Sequence, residues 1–314
     1  MQIKSNYPLS KVTTLQIGGP AKKFVSVSSE EKLIEAIQYT KQNNMNYLVI
    51  GGGSNLLVND EGIDCLVIKN EITGITTSKV DSDSFEVSVK SGTPLQELVD
   101  FTISHGLSEL QKITGIPGTV GGAVFGNAGA YGQTISDRLT EVVAFDGKKI
   151  ITLTKNQCDF NYRDSGFKRT KNIILEVHFK LESGDPKSLK KVAEDVLSKR
   201  LVKYPPSIKC PGSFFKNLVA DKLKSEVLDK IPKDKITYGK ISAGYLLEAV
   251  GAQGQKLDGI EIASYHANLF INIGGGTTKA FYDLAKKYAD KVYEKFGIKL
   301  EPEVQLINLP SLFI

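Results

Sequence analysis

Residues 113–132 read Ile-Thr-Gly-Ile-Pro-Gly-Thr-Val-Gly-Gly-Ala-Val-Phe-Gly-Asn-Ala-Gly-Ala-Tyr-Gly, seven glycines and no charge in twenty residues. Glycine loses more backbone freedom on folding than any other residue, so such a run weakens a fold unless close backbone approach or positive φ demands it. A flexible linker would carry Ser, Lys and Glu instead. The run therefore reads as a turn-rich wall lying against a large planar or phosphate-bearing ligand. Tight turns between short strands are the other reading of the same residues.

A second cluster has the same character. Tyr47-Leu48-Val49-Ile50 has the pattern of a buried strand and runs into Gly51-Gly52-Gly53-Ser54-Asn55-Leu56-Leu57. Backbone N–H groups in such a turn, with a hydroxyl and an amide beside them, form an anion-binding nest. The dinucleotide fingerprint needs Gly where Leu56 stands and a helix directly after it. A P-loop needs Gly-Lys-Ser/Thr, which is absent here.

Composition narrows the partners. A net charge of +5 spread over 314 residues suits an acidic small molecule and gives no case for nucleic acid. No apolar run is long enough to span a membrane, and the first residues lack the apolar core of a signal peptide. The three cysteines, Cys65, Cys158 and Cys210, and the three histidines are scattered. That pattern predicts a cytoplasmic protein with free thiols and no metal.

Local patterns predict the elements. Ser28-x-x-Glu31 is a capping-box signature before a helix carrying Leu33, Ile34 and Ile37. Thr93 offers an N-cap with Pro94 at the first position of a helix lined by Leu95, Leu98, Val99 and Ile103. Alternation predicts strands around 85–89, 140–145, 149–153 and 173–181. Asp185-Pro186 opens an amphipathic helix with Leu189, Val192, Val196, Leu197 and Leu201 on one face. Residues 221–240 read as an exposed connection, and 277–296 as a helix stopped by Gly297. Alternating Ile298, Leu300, Pro302, Val304 and Leu306 predict a strand with Glu301 and Glu303 on its polar face.

Three polar sites, those around Arg163 and Ser213 and at Glu303 (which on a polar strand face is otherwise simply solvated), and a separate basic stretch could carry chemistry. Arg163, in Asn161-Tyr162-Arg163-Asp164-Ser165-Gly166-Phe167, either forks onto a carboxylate or phosphate or pairs with a surface acid. Ser213, in Pro211-Gly212-Ser213-Phe214-Phe215-Lys216-Asn217, has no His near it in sequence, which removes the support for a Ser–His–Asp hydrolase. Lys199, Arg200, Lys203, Lys209 and Lys216 form a basic stretch, either a solvated helix end or a rim for a phosphorylated substrate.

Taken together these segments resemble the UDP-N-acetylenolpyruvoylglucosamine reductase family, nearly end to end. The motifs run in family order: Thr13-Thr14-Leu15-x-Ile17-Gly18-Gly19-Pro20-Ala21, Gly51 to Leu57, Gly115 to Ala123, and Asn127 to Gly132. Tyr162-Arg163-x-Ser165-x-Phe167, Gly212 to Asn217 and Leu300-Glu301-Pro302-Glu303-Val304 complete the set. Leu218 departs from the family's usual Pro, and Tyr245 from its common Trp.

The resemblance implies an α+β fold: two α/β subdomains of the vanillyl-alcohol-oxidase type, residues 1–70 and 71–185, and a substrate-binding domain, 186–303, with the tail 304–314 returning to the first subdomain. It implies noncovalent FAD held by Gly51, Gly52, Gly53, Ser54, Asn55, Leu56, Gly115, Ile116, Pro117, Gly118, Gly121, Gly122, Asn127, Ala128 and Gly129. Ser213 matches the acid that protonates the substrate, and Arg163 and Glu303 match the pair that polarises it. Tyr162, Lys203, Lys216 and Asn217 match substrate contacts. NADPH is implied as the cosubstrate, a UDP-sugar as the substrate, and a monomer as the working form. The chain resembles the family's shorter branch, without an extra substrate-closing loop. An FAD-dependent alcohol oxidase would often tether flavin through a His or Cys, and residues 45–60 contain neither. A nucleotide-binding regulator without activity would have no use for Arg163, Ser213 and Glu303 together.

Overall fold

Apolar periods of two and of 3.6 residues become strands and helices along most of the chain. The computed structural model describes residues 1–312 and has an α+β fold. It forms two compact units. The first comprises Met1–Asn6, Lys22–Gly52 and Asp64–Pro205, and the second Tyr7–Ala21, Gly53–Ile63 and 206–312.

In the first unit, Tyr47–Ile50 lies parallel to Ile63–Asn70 with Tyr47 opposite Leu66. Helix α1 (Glu30–Gln42) buries Leu33, Ala36 and Ile37 in a core with Val25, Val27, Leu66 and Ile68. Its N-cap is Ser29 rather than Ser28, because the Ser29 hydroxyl accepts the Lys32 N–H at 3.3 Å. A five-stranded antiparallel sheet follows in the order Ile150–Thr154, Leu139–Phe145, Ile173–Glu182, Ser84–Lys90, Ile75–Lys79. Against it lie α2 (Leu95–Ser104) and α3 (Val120–Gly126), which share the core of Val87, Leu98, Val124 and Phe179. Thr93 does not cap α2: its hydroxyl accepts from Gly74 N–H at 3.1 Å, and Pro94 takes the cap position.

Helix α4 (Pro186–Lys203) is capped by Asp185, whose carboxylate accepts from Ser188 N–H at 2.9 Å and Ser188 O–H at 2.7 Å. It buries Leu189, Ala193 and Val196 and leaves Leu201 exposed. The family resemblance assigns this helix to the substrate domain. Its packing on α2 and on residues 111–113 puts it in the first unit, with the division after Pro205.

The second unit is organised on α5 (Ala243–Glu248) and α6 (Thr278–Phe296). The inner face of α6 buries Phe281, Leu284, Tyr288, Val292 and Phe296 among Phe214, Phe215 and Phe270. Thr277 caps α6 through Ala280 N–H, and the Asp60 carboxylate takes the N–H groups of Thr278 (2.8 Å) and Lys279 (3.0 Å). Residues expected to be a plain exposed connection contribute short strands, Ile236–Thr237 and Lys240–Ile241, laddered with Leu218–Val219. The strand expected over 298–306 forms only at Gln305–Ile307, parallel to Leu56–Val58. Ile298, Leu300 and Val304 are buried as the alternation requires, but the backbone partner of 301–303 is irregular and supports single bridges instead of a ladder.

Candidate active site

The first unit brings the two glycine clusters together. A Cβ on Gly51 would overlap the Thr119 hydroxyl, and one on Gly52 would sit 2.9 Å from Gly118 Cα. That hydroxyl is the N-cap of α3, accepting Gly122 N–H at 3.3 Å. Glycine at 51 therefore leaves room for the cap of a helix some seventy residues downstream. The run read as a turn-rich wall contains this helix, closed by Asn127 in the left-handed region at φ 45°.

Gly122 and Gly126 behave differently. A Cβ on Gly122 would make only an ordinary 3.5 Å contact with Thr119 Oγ1, and one on Gly126 would meet nothing within 4 Å. Neither has a positive φ. They stand four residues apart, on one face of α3. Glycine costs a helix about 1 kcal/mol relative to alanine, so the fold alone gives no reason for two of them. A ligand lying on this face would give one. The buried Oδ1 of Asn127, without a hydrogen-bond partner, is a polar atom of the kind a bound cofactor satisfies. The residues fit a large flat ligand.

Arg163 sits on a tethered loop beside this wall. Its guanidinium donates to Gly129 O at 2.7 Å, Asn127 Nδ2 donates to Asn161 O at 2.9 Å, and Ser165 Oγ donates to Phe125 O at 2.7 Å. The Tyr162 ring lies 5.6 Å from the guanidinium carbon, and the Arg163 backbone is left-handed at φ 55°, uncommon for a non-glycine residue. Its neighbour Asp164 pairs with Arg169.

Arg200, in the last turn of α4, was visible in the sequence only as one of several basic residues. Its side chain is half-buried, its guanidinium lies 5.2 Å from the Tyr204 ring, and its buried Nε has no hydrogen-bond partner. Burial pushes its pKa down; Tyr204 and Tyr131 oppose this, and the nearby Arg163 charge adds to it. Lys203, on the same turn, is exposed.

In the second unit a short stretch of extended backbone carries the other candidates. Ser213 bridges Leu269, and Phe214 donates to Asn268 O at 2.9 Å while accepting from Glu303 N–H at 2.7 Å. Phe215 bridges Pro302, and Lys216 N–H donates to Glu301 O at 2.9 Å. Ser213 and Glu303 thus stand on neighbouring segments, both half-buried. Beneath them Phe214, Phe215, Phe270 and Phe281 pack with ring centroids 4.7–6.3 Å apart. Asn268, only 3% exposed, clamps the stretch: its Oδ1 accepts Phe215 N–H at 2.9 Å and its Nδ2 donates to Phe215 O at 2.8 Å. No local pattern marks Asn268; the Asn side chain substitutes for a missing strand.

The remaining residues already have tasks. Asn55 donates from Nδ2 to Glu303 O at 3.1 Å and accepts Gln305 N–H on its carbonyl, which ties the segment after the Gly51–Gly53 turn to the Glu303 backbone. Gly53, at φ 63°, lies against the Val12 carbonyl where a Cβ would overlap it. Ser54 and Leu56 flank Asn55 in this unit. Lys216 pairs with Glu301 at 2.5 Å, and Asn217 Oδ1 accepts Ala243 N–H at 3.1 Å at the start of α5. Cys210 is buried, with its thiol pKa pushed up by that burial and partly offset by a hydrogen bond from Gly212. Among the described residues, no group of three or more His, Cys, Asp or Glu could hold a metal, and no helix is long and apolar enough to cross a membrane.

The glycine-lined face of α3 in the first unit and the serine on its braced stretch in the second are the features to set beside known proteins, and the match to an FAD binding domain makes the class that of flavin-binding enzymes. Residues 21–151 match the FAD binding domain family, and residues 204–307 match the family of the UDP-N-acetylenolpyruvoylglucosamine reductase C-terminal domain. A UDP-N-acetylenolpyruvoylglucosamine reductase of Solibacter usitatus is 38% identical over 309 residues, covering 98% of this chain and 97% of the relative. UDP-N-acetylenolpyruvoylglucosamine reductase 2 of Bacillus cereus is 33% identical over 308 residues, covering 98% and 93%. The crystal structure of the reductase from Thermus caldophilus superposes with a TM-score of 0.75 at 29% identity, covering 98% of this chain and 99% of that one. The chain belongs to the UDP-N-acetylenolpyruvoylglucosamine reductase family.

Proposed function

We propose that the chain reduces the enolpyruvyl ether of UDP-N-acetylglucosamine to UDP-N-acetylmuramate, a step in peptidoglycan precursor synthesis, using NADPH and noncovalent FAD. The observation that carries this reading is the braced stretch that sets Ser213 beside Glu303 in a chain of this reductase family. The Gly51–Gly52 turn, the Gly115–Gly118 turn and the Gly122/Gly126 face of α3 hold FAD, with Ile116, Pro117, Gly121, Ala128 and Gly129 forming the wall around them. FAD, when bound, supplies the hydride that NADPH has delivered.

Reduction adds a hydride at the terminal CH2 carbon and a proton at the carbon bearing the ether oxygen. Negative charge grows on the substrate carboxylate between these two events. A fixed guanidinium stabilises such charge without reorganising, which is the role of Arg163, and the Tyr162 ring and the Gly129 carbonyl fix its direction. Glu303 assists the polarisation. Ser213 Oγ–H delivers the proton and recovers one from water; a hydroxyl is so weak an acid that it serves only when held in place, as the Phe214 and Phe215 backbone bonds hold it. Tyr162 and Lys203 contact the UDP-sugar. Lys216 does so by exchanging Glu301 for a substrate anion, and Asn217 by its Nδ2, since its Oδ1 is engaged. The enzyme works as a cytoplasmic monomer on small molecules, without nucleic acid or membrane.

The test separates the two half-reactions. Ser213→Ala should retain flavin and be bleached by NADPH at the normal rate, while reoxidation by the enolpyruvyl substrate slows about a hundred- to ten-thousand-fold. Cys210→Ser is the control: its buried thiol lies three residues away and should prove dispensable. Protein without flavin, or normal reoxidation in Ser213→Ala, overturns the reading.

A further inference from the structure

Arg200 is placed differently from Arg138, Arg169 and Lys90 of the first unit. Arg138 lies on Glu109 and Glu182, Arg169 on Asp159 and Asp164, and Lys90 on Glu30 and Glu176. Arg200 has no such partner among the described residues, and its Nε is buried without an acceptor. Its stem is held in place. A Cβ on Gly115 would come within 3.2 Å of Arg200 Nε and 3.3 Å of Cδ, and Gly115 itself is left-handed at φ 70°. The Tyr204 ring stacks on the guanidinium.

The charge nearest to it makes the situation worse. Arg163 raises the cost of keeping Arg200 charged, and no carboxylate offsets that. Burying an uncompensated charge is among the most expensive things a fold can do. A negatively charged ligand group beside Arg200 would engage its buried, unused Nε donor and offset the neighbouring Arg163 charge. Guanidinium is also the side chain best matched to planar oxyanions.

We propose that Arg200, together with Arg163, forms an anion site that takes a negatively charged oxygen group from a ligand. This rests on the function proposed above, which provides two sources of that chemistry: the enolpyruvyl carboxylate and the oxygens of the flavin cofactor. Arg163 holds the carboxylate in either case; Arg200 supplies the second positive charge at the wall of glycines.

The experiment compares Arg200→Met, which keeps the length of the stem, and Arg200→Lys, which keeps the charge, with the wild-type holoprotein. Flavin content after gel filtration and titration of the flavin absorbance with UDP-N-acetylglucosamine enolpyruvate are read separately. Melting temperature by circular dichroism establishes that the variants are folded. Arg200→Met should lose affinity for one ligand by at least tenfold, with partial recovery in Arg200→Lys. Lost flavin assigns the cofactor as the source, whereas intact flavin with weakened titration assigns the carboxylate. Binding of both ligands within twofold of wild type overturns the proposal, whatever the melting temperature does. If the wild-type protein itself carries no flavin and ignores the substrate, the function proposed above fails. The anion site is then tested alone by the rise in melting temperature with inorganic pyrophosphate, which Arg200→Met must abolish.

Discussion

Replacing Asn268 by leucine removes the clamp on the serine-bearing stretch while keeping a side chain of similar volume. The two groups it satisfies, Phe215 N–H and Phe215 C=O, are buried, and both bonds are short at 2.9 and 2.8 Å. Leucine fills the space, excludes water and leaves both groups unpaired. Each stranded backbone group costs about 1–3 kcal/mol, so the expected loss is roughly 4 kcal/mol, large against typical stabilities of about 5–15 kcal/mol. Asn268→Ala leaves space in which a water can replace the amide, and its cost should be roughly half as large. The chain has no tryptophan, so urea unfolding is followed by far-UV circular dichroism. Hydrogen exchange of the 213–217 segment reports the local opening. The Leu variant should bleach normally with NADPH and reoxidise slowly with substrate, because only the Ser213 stretch has lost its brace. A loss below about 1 kcal/mol in Asn268→Leu, or a larger loss in Asn268→Ala, would refute the reasoning.

Two further outcomes follow from the first unit. Gly122→Ala and Gly126→Ala place a methyl group where the fold has room, so the protein should be as stable as wild type or gain up to about 1 kcal/mol. Flavin content should fall, and full flavin occupancy in both variants removes this face of α3 from the cofactor site. Asp164 loses some ease of ionisation to burial, but the hydrogen bond from Arg169, the Lys168 and Arg169 charges and the Ser165 N–H more than compensate, and its pKa is lowered. Its contribution is present above the unfolded value, about pH 4, and is lost as pH falls through the folded one. Wild type should therefore lose more stability than Asp164→Asn between pH 5 and pH 3, and a gap that stays constant over that window sinks the assignment.

The elements that were legible in the sequence are those whose cause is local. Helices α4 and α6 announce themselves through their own apolar period and through Asp185, Thr277 and Gly297. Where two residues could do the same local job, tertiary contacts decided. Ser29 rather than Ser28 caps α1, and Thr93 spends its hydroxyl on Gly74. The alternation at 298–306 correctly marks the buried side, since burial depends on side-chain direction alone. It overstates the strand, since a ladder also needs a regular partner, and residues 213–216 do not provide one.

The candidate site divides along the same line. Ser213, Arg163 and Glu303 are legible because they lie inside family motifs. Asn268 is not, because its value comes from Phe215, fifty-three residues away. Arg200 is not, because a basic residue at a helix end has an ordinary explanation until burial removes the solvent. The glycines make the case most clearly. In the sequence, Gly51 and Gly122 are equivalent members of glycine-rich runs. In the fold, Gly51 is required by the Thr119 hydroxyl and would be required in an empty protein. Gly122 and Gly126 have no such requirement, and a helix of seven residues that keeps two dispensable glycines on one face loses stability for no internal return. The cofactor proposed above would supply that reason, by occupying the space a side chain would take. An alanine there tests function without disturbing the fold, which an alanine at Gly51 cannot do.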